Sequence, residues 1–108
     1  MANTFTRKLG RAIGITANQI GSFTASTSTV VIGLSVTNTS GGAITANVYL
    51  NSAVGNTSLV TNAPVSSGSS LTVVGGDQKL VLISGDSIYV QSSAASSIDC
   101  IMSIMEIT

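Results

Sequence analysis

The feature of this sequence that most limits its fold is a series of short apolar runs separated by turn residues. In the C-terminal part these runs lie at residues 71–74, 79–83, 88–90 and 98–107. Two of the intervals between them contain Gly75-Gly76-Asp77 and Ser84-Gly85-Asp86. Gly adopts positive φ without strain and Asp hydrogen-bonds its own backbone, so both segments are typical of hairpin turns. The pattern predicts an antiparallel β meander.

Apolar residues also alternate with small or polar ones in the N-terminal half. The predicted strands there lie at residues 20–25, 29–38, 43–51 and 58–61. Residues 38–42 contain two glycines and form a strong turn, and Pro64 fits only an edge strand or a strand end, because it has no N–H to donate. Strands that recur every eight to twelve residues predict an all-β fold, an antiparallel β-sandwich of the jelly-roll type.

The composition is low in charge. Charged residues make up 7% of the 108 residues, and the formal net charge is zero, whereas about a quarter of the residues in a typical soluble domain are charged. A net charge near zero gives little protection against association. The sequence therefore suggests a chain that functions within an assembly, as a homo-oligomer or with other subunits.

Residues 1–14 differ from the rest, and we predict a basic N-terminal docking arm there, followed by a β-sandwich domain at residues 15–108. Three of the four cationic residues lie in this segment, which has no acidic residue. At helical spacing one face has Phe5, Leu9 and Ile13, and the other has Arg7, Lys8 and Arg11. Gly10 weakens the helix, so an extended arm is the alternative. In either form these six residues are the predicted partner-binding set.

The last predicted strand is apolar on both faces. Ile98, Cys100, Met102 and Ile104 point to one side, and Ile101, Met105 and Ile107 point to the other. A strand of this kind has to be covered on both faces. The second cover is either another subunit, which makes Ile101, Met105 and Ile107 a candidate interface, or the N-terminal segment of the same chain.

Catalytic chemistry finds little support in the residues. The sequence has no His, which excludes the Ser-His-Asp and Cys-His arrangements. Gly75-Gly76 does not precede a helix that could bind phosphate, and zinc ligands are lacking. Calcium at Asp77 or Asp86 stays a minor alternative. We expect no enzymatic activity, no metal and no cofactor.

Other partner classes are also weakly supported. Three cations with a single aromatic residue make a poor nucleic-acid footprint, and no run is long enough for a transmembrane helix. Glycines and Arg11 interrupt the apolar stretch that a signal peptide needs. Cys100, the one cysteine, cannot form an internal disulfide and is expected to be buried as a small apolar residue.

Several segments in a fixed order carry a family resemblance. They are FTRKL at residues 5–9, NTSGGA at 38–43, PVSSGSSL at 64–71, GDQKLVL at 76–82 and GDSIYVQSSAASS at 85–97. With these segments the chain resembles small virion proteins of tailed bacteriophages, including cyanophages and other marine phages. The resemblance implies a β-sandwich subunit of the particle, without catalytic residues and located in the virion.

The resulting functional hypothesis is a capsid decoration or cement subunit. It would attach to the major capsid protein or another virion protein through its N-terminal arm and its apolar β faces. The alternatives are a neck or tail accessory protein, or a receptor- or glycan-binding module of a tail appendage that uses the loops at residues 52–56 and 92–97.

Overall fold

A computed structural model of the chain describes residues 3–75 and 79–107. These residues form nine β-strands and one short 3-10 turn. In chain order the strands are β1 (Asn3–Ile13), β2 (Asn18–Gln19), β3 (Thr29–Asn38), β4 (Ile44–Ser52), β5 (Gly55–Val65), β6 (Ser70–Val74), β7 (Leu80–Leu82), β8 (Ser87–Ser92) and β9 (Ile98–Ile107). The 3-10 turn (Ile20–Ser22) follows β2.

The strands form two sheets, and all their pairings are antiparallel. One sheet has the order β1-β9-β3-β6, with β7 paired to β3 beyond the end of β6, and the other has the order β2-β8-β4-β5. β1 pairs with β9, β2 with β8, β3 with β6 and β7, and β4 with β5. First pairs with last, second with next to last, and so on inward. This nested pairing is that of a long hairpin rolled up into a jelly roll, and it confirms the predicted fold class. The predicted antiparallel meander over residues 71–107 is wrong, because β6, β7 and β9 pair with β3 while β8 pairs with β4, so the consecutive strands β6 to β9 do not pair with one another in the described residues.

The core lies between the two sheets and is built by alternation along the strands. The five-stranded sheet contributes Val31, Leu34, Val36, Ile98, Met102 and Ile104, and the four-stranded sheet contributes Ile44, Ala46, Val48, Ile88 and Val90, all buried. The inward face of β9 that the sequence predicted is therefore confirmed.

One buried polar group holds the end of the sandwich together. Asn38 at the end of β3 is fully buried. Its Nδ2 donates to the carbonyl oxygens of Gly42 and Val65, and its Oδ1 accepts hydrogen bonds from the N–H and the hydroxyl of Ser40. The predicted turn after β3 is thus tied to the end of β5.

The N-terminal segment does not form the helix that its residue spacing suggested. Residues 3–13 form β1, which pairs with β9 from Asn3 opposite Ile107 to Ile13 opposite Ile98. At Ala12, with φ 51°, the register shifts by a bulge, and Asp99 Oδ1 accepts a hydrogen bond from the Ala12 N–H at 3.0 Å. The segment is extended, but it is an edge strand of its own sheet. Its role as a docking arm separate from residues 15–108 stays a prediction.

The predicted strand at residues 20–25 is also wrong. Gly21 and Ser22 have positive φ, and the chain turns there because the 3-10 turn packs under β1. A Cβ added to Gly21 would lie 3.0 Å from Lys8 Cβ, so this close approach requires glycine.

Candidate functional site: two unlike outer faces

The outer face of the five-stranded sheet has a continuous apolar row across four strands. Phe5 on β1 lies opposite Met105 on β9, Met105 lies opposite Val30 on β3, and Val30 lies opposite Val81 on β7. Phe5 is 70% exposed and Val81 58%, while Val30 and Met105 between them are half-buried. Directly opposed side chains of this kind contact each other and form one surface.

A second apolar pair extends this surface toward the other end of the sheet. Leu9 on β1 lies opposite Ile101 on β9, and Ile101 is 51% exposed. Ile32 lies at the bulge of β3 and lines a shallow depression together with Phe5 and Arg7. We call the outward-facing set the apolar face, and it consists of Phe5, Leu9, Val30, Ile32, Val81, Ile101 and Met105.

The charges of the N-terminal strand divide between the two sides of the sheet. In an extended strand Arg7 and Arg11 share the outward side with Phe5 and Leu9. Lys8 points the other way, and its Nζ lies 5.2 Å above the ring centroid of Phe23, a cation–π contact. The predicted grouping of Lys8 with the two arginines therefore does not form. On the outward side Arg7 lies between Phe5 and Leu9, within the apolar face, and Arg11 lies beyond Leu9.

Ile13 needs a correction as a candidate docking residue. It is 2% exposed and belongs to the chain's own core. Its carbonyl oxygen accepts a hydrogen bond from the Ser97 N–H at 3.0 Å. The helical stripe that would have joined Ile13 to Phe5 and Leu9 is absent, because strand geometry with a bulge turns Ile13 inward.

The predicted interface residues of β9 lie where the alternation placed them. Ile101, Met105 and Ile107 are on the outward side of the strand, and Ile101 is the most exposed of the three. The N-terminal segment does not cover them from above, because β1 lies beside β9 in the same sheet. Of the two covers that the sequence left open, the segment of the same chain is thus excluded for Ile101.

The outer face of the four-stranded sheet is different in kind. Tyr49 on β4 lies opposite Tyr89 on β8, and their rings stack in parallel with centroids 5.4 Å apart. Neither tyrosine hydroxyl forms a hydrogen bond within the described residues. The strands β2, β4, β5 and β8 contain no Asp, Glu, Lys or Arg, so this face carries no formal charge.

Amide side chains flank the tyrosine pair. Asn47 Nδ2 donates to Gln91 Oε1 at 3.3 Å, Asn47 Oδ1 accepts from the Asn62 N–H at 2.7 Å, and Gln91 Nε2 donates to the Ile15 carbonyl oxygen. On the other side of Tyr49, Asn51 Nδ2 donates to Asn56 Oδ1 at 2.7 Å. We call this surface the neutral face, and it consists of Asn47, Tyr49, Asn51, Asn56, Tyr89 and Gln91.

Other reactive groups fit structural roles. Cys100 is buried, and burial raises the pKa of its thiol to about 11, with a lesser opposing effect of a hydrogen bond with the Gly10 backbone. A Cβ at Gly10 would lie 2.6 Å from Cys100 Sγ, so β1 covers the sulfur closely. Asp86 Oδ2 accepts a hydrogen bond from the Ile83 N–H. Asp77, the other carboxylate suggested for calcium, lies outside the described residues.

Within residues 3–75 and 79–107, no three His, Cys, Asp or Glu side chains cluster as metal ligands would. No helix in these ranges is long and apolar enough to cross a membrane.

Sequence reasoning missed several residues of both faces. Val30 and Val81 belong to the apolar row, and Tyr49 and Tyr89 form the stacked pair, although 40 positions separate the tyrosines along the chain. The alternation did contain a signal for this face, because Asn47, Tyr49 and Asn51 are spaced two residues apart and so lie on the same side of β4. What the sequence does not provide is the register that brings β4 and β8 together.

Comparison with known proteins establishes the fold. No protein-family model and no curated protein matches the sequence. Among solved structures, a chain of Bacillus endospore appendages, described as a family of disulfide-linked pili, is 21% identical with a TM-score of 0.56. The match covers 97% of this chain and 86% of that one. A chain of infectious bursal disease virus strain Gx is 11% identical with a TM-score of 0.50, covering 96% of this chain and 32% of the viral one. The present chain thus spans about a third of that viral protein.

Proposed function

We propose that this chain is a structural subunit of a bacteriophage virion, a capsid decoration or cement subunit without enzymatic activity. The apolar face attaches it to the particle, and β1 contributes to this attachment as the edge of the face. The observation that carries the proposal is the unbroken row formed by Phe5, Met105, Val30 and Val81 across four strands.

The energetics of the row favour attachment. Full burial of an exposed Phe or Val side chain contributes about 1.5–3 kcal/mol, and Phe5 and Val81 still have more than half of their surface to bury. One contact of this kind is weak after the cost of association. A symmetric particle repeats it at many equivalent sites, and self-association between neighbouring subunits would add to it.

The charges indicate which partner fits. Arg7 and Arg11 lie on the outward side of β1 beside Phe5 and Leu9, and Asp99 of β9 accepts a hydrogen bond from the Ala12 N–H. A partner surface that combines apolar residues with carboxylates complements this arrangement. The major capsid protein or another virion protein is the proposed partner.

The structural neighbours support an assembly role in general terms. The Bacillus chain comes from a pilus and the other from a virus, and both share this jelly roll. The disulfide linkage of those pili does not extend to this chain, because Cys100 is the one cysteine and is buried beneath Gly10. Attachment here therefore depends on noncovalent contacts, and the same face would also suit a neck or tail accessory position.

The test is reattachment to particles that lack the subunit. Phe5→Asp and Val81→Asp each place a carboxylate on the apolar face at an exposed position, and Val54→Asp is the matched control, since Val54 is 95% exposed and lies outside that face. Occupancy is measured by quantitative mass spectrometry of purified virions, with circular dichroism to verify folding.

We expect the two face variants to lose occupancy by about tenfold or more while the Val54→Asp variant binds as wild type does. Folded face variants that reattach at wild-type occupancy would contradict attachment through this face. Absence of the chain from purified virions would contradict the virion location itself.

A further inference from the structure

The neutral face has the features of a recognition surface that attachment does not use. It lies on the side of the sandwich opposite to the apolar face, because the two sheets pack with their inner sides together. A subunit attached through its apolar face thus directs the neutral face away from the particle. What this surface can bind follows from its own chemistry and does not depend on the proposed function.

The tyrosine pair belongs to a cross-strand row that ends in a small side chain. Tyr89 lies opposite Gln19 on β2, and on the other side Tyr49 lies opposite Ser58 on β5. Ser58 is exposed, and β5 is an edge strand. The position opposite Tyr49 on β5 therefore holds only a hydroxymethyl group, so the tyrosine has no large side chain directly across from it on that strand. We call this position the Ser58 shelf.

Polar groups at the shelf are fixed in place but still have free hydrogen-bonding capacity. The bond from Asn51 Nδ2 to Asn56 Oδ1 fixes both amides. Within the described residues, Asn56 Nδ2 and Asn51 Oδ1 have no other side-chain partner, which leaves donors and an acceptor for a ligand. The hydroxyls of Tyr49 and Tyr89 are free as well, so the face offers several preorganised groups without a charge.

From this arrangement we propose that the neutral face binds an uncharged polysaccharide. One sugar ring lies on the Ser58 shelf against Tyr49, and its hydroxyls bond to the Asn51–Asn56 pair. Sugar rings have an apolar side that packs on an aromatic ring and a rim of hydroxyls that both donate and accept, which is what tyrosine and amides together provide. Repeated subunits on one particle would strengthen a weak single contact through multivalency.

Other ligands fit this face less well. Nucleic acids and sulfated glycans need cations, and the four strands that form the face have none. A protein partner normally buries a central cluster of Trp, Tyr or Arg anchors, whereas this face has one tyrosine pair, and the outward residues around it are amides and hydroxyls.

The experiment titrates the full chain, labelled with ¹⁵N, with dextran, yeast mannan and laminarin, which are neutral polysaccharides of different linkage. Dextran sulfate is the charged counterpart of dextran. We expect at least one neutral polymer to shift the amide resonances of β4, β5 and β8 and to leave those of β1 and β9 unchanged. Dextran sulfate should cause no such shifts on the neutral face.

Two variants test the shelf itself. Tyr49→Ala removes the stacking surface, and Ser58→Ile fills the shelf at an exposed edge position that tolerates a β-branched residue. Each should weaken binding by about 3- to 10-fold. Tyr49→Phe keeps the ring and should retain most of the affinity, and Phe5→Ala on the apolar face should have no effect.

Three results would overturn the proposal. The first is that no neutral polymer shifts these resonances at millimolar sugar concentration. The second is that the Ser58→Ile variant, which decides the matter if Tyr49→Ala does not fold, binds as the wild type does. The third is that Tyr49→Ala changes the mass of the protein in solution and no polymer binds, since the face would then join two copies of the chain.

Discussion

The substitution Ile13→Ala distinguishes an N-terminal arm from a strand of the fold. Ile13 is 2% exposed among core residues, and its backbone is held by Ser97. The change removes three side-chain carbons, which at about 0.8 kcal/mol each amounts to about 2.4 kcal/mol of lost burial. The cavity left behind raises the cost further, so we expect a loss of about 2–5 kcal/mol in the free energy of unfolding.

Phe5→Ala is the matched control within the same strand. Phe5 is 70% exposed, so its loss should change the free energy of unfolding by less than about 0.5 kcal/mol. Urea titration followed by circular dichroism measures both variants. A docking arm separate from the domain predicts instead that neither substitution alters unfolding. An Ile13→Ala variant as stable as the wild type would therefore refute the placement of Ile13 in the core.

Three further predictions test other contacts. Gly10→Ala should destabilise the protein by about 1–3 kcal/mol, because the new Cβ would lie 2.6 Å from Cys100 Sγ. Cys100→Ala should recover part of this loss in a double-mutant cycle. A coupling energy below about 0.5 kcal/mol would contradict the β1–β9 register. Asn38→Ala should cost about 1–3 kcal/mol by leaving the Val65 carbonyl oxygen without its donor, while exposed Asn56→Ala should cost little, as urea titration would show. Because burial raises the pKa of Cys100 from 9.0 to about 11, stability should fall as the pH rises between these values, and Cys100→Ala should remove that part of the pH dependence.

The alternation of apolar residues made much of the fold predictable. Residues 29–38, 43–51 and 98–107 alternate clearly, and all three are strands close to those bounds. The two faces of β9 followed from the same pattern, because a side chain's face in a strand depends only on its parity. These properties are local, so the sequence alone contains them.

The N-terminal strand was harder to predict, because its pattern fits two periods. Phe5, Arg7, Leu9 and Arg11 alternate as in a strand, while Phe5, Leu9 and Ile13 recur as on a helix. Whether the segment forms a strand or a helix depends on β9, whose residues follow more than 80 positions later in the sequence. Cys100 of β9 lies directly against Gly10. Tertiary pairing overrides local propensity here, and neither the sulfur contact nor the bulge at Ala12 has a sequence signal of its own.

The nested pairing of the strands also explains why the two outer faces differ. Pairing first with last puts β1 and β9 side by side, so the arginines near one end of the chain and the apolar residues near the other share one surface. Strands β4, β5 and β8 contain no charged residue, and the opposite surface that they form with β2 is therefore neutral. The pairing of the strands thus turns an uneven distribution of charge along the chain into a difference between two sides of the molecule. Because those sides lie on opposite sheets, the proposed attachment through one and the proposed recognition through the other would not compete for the same residues.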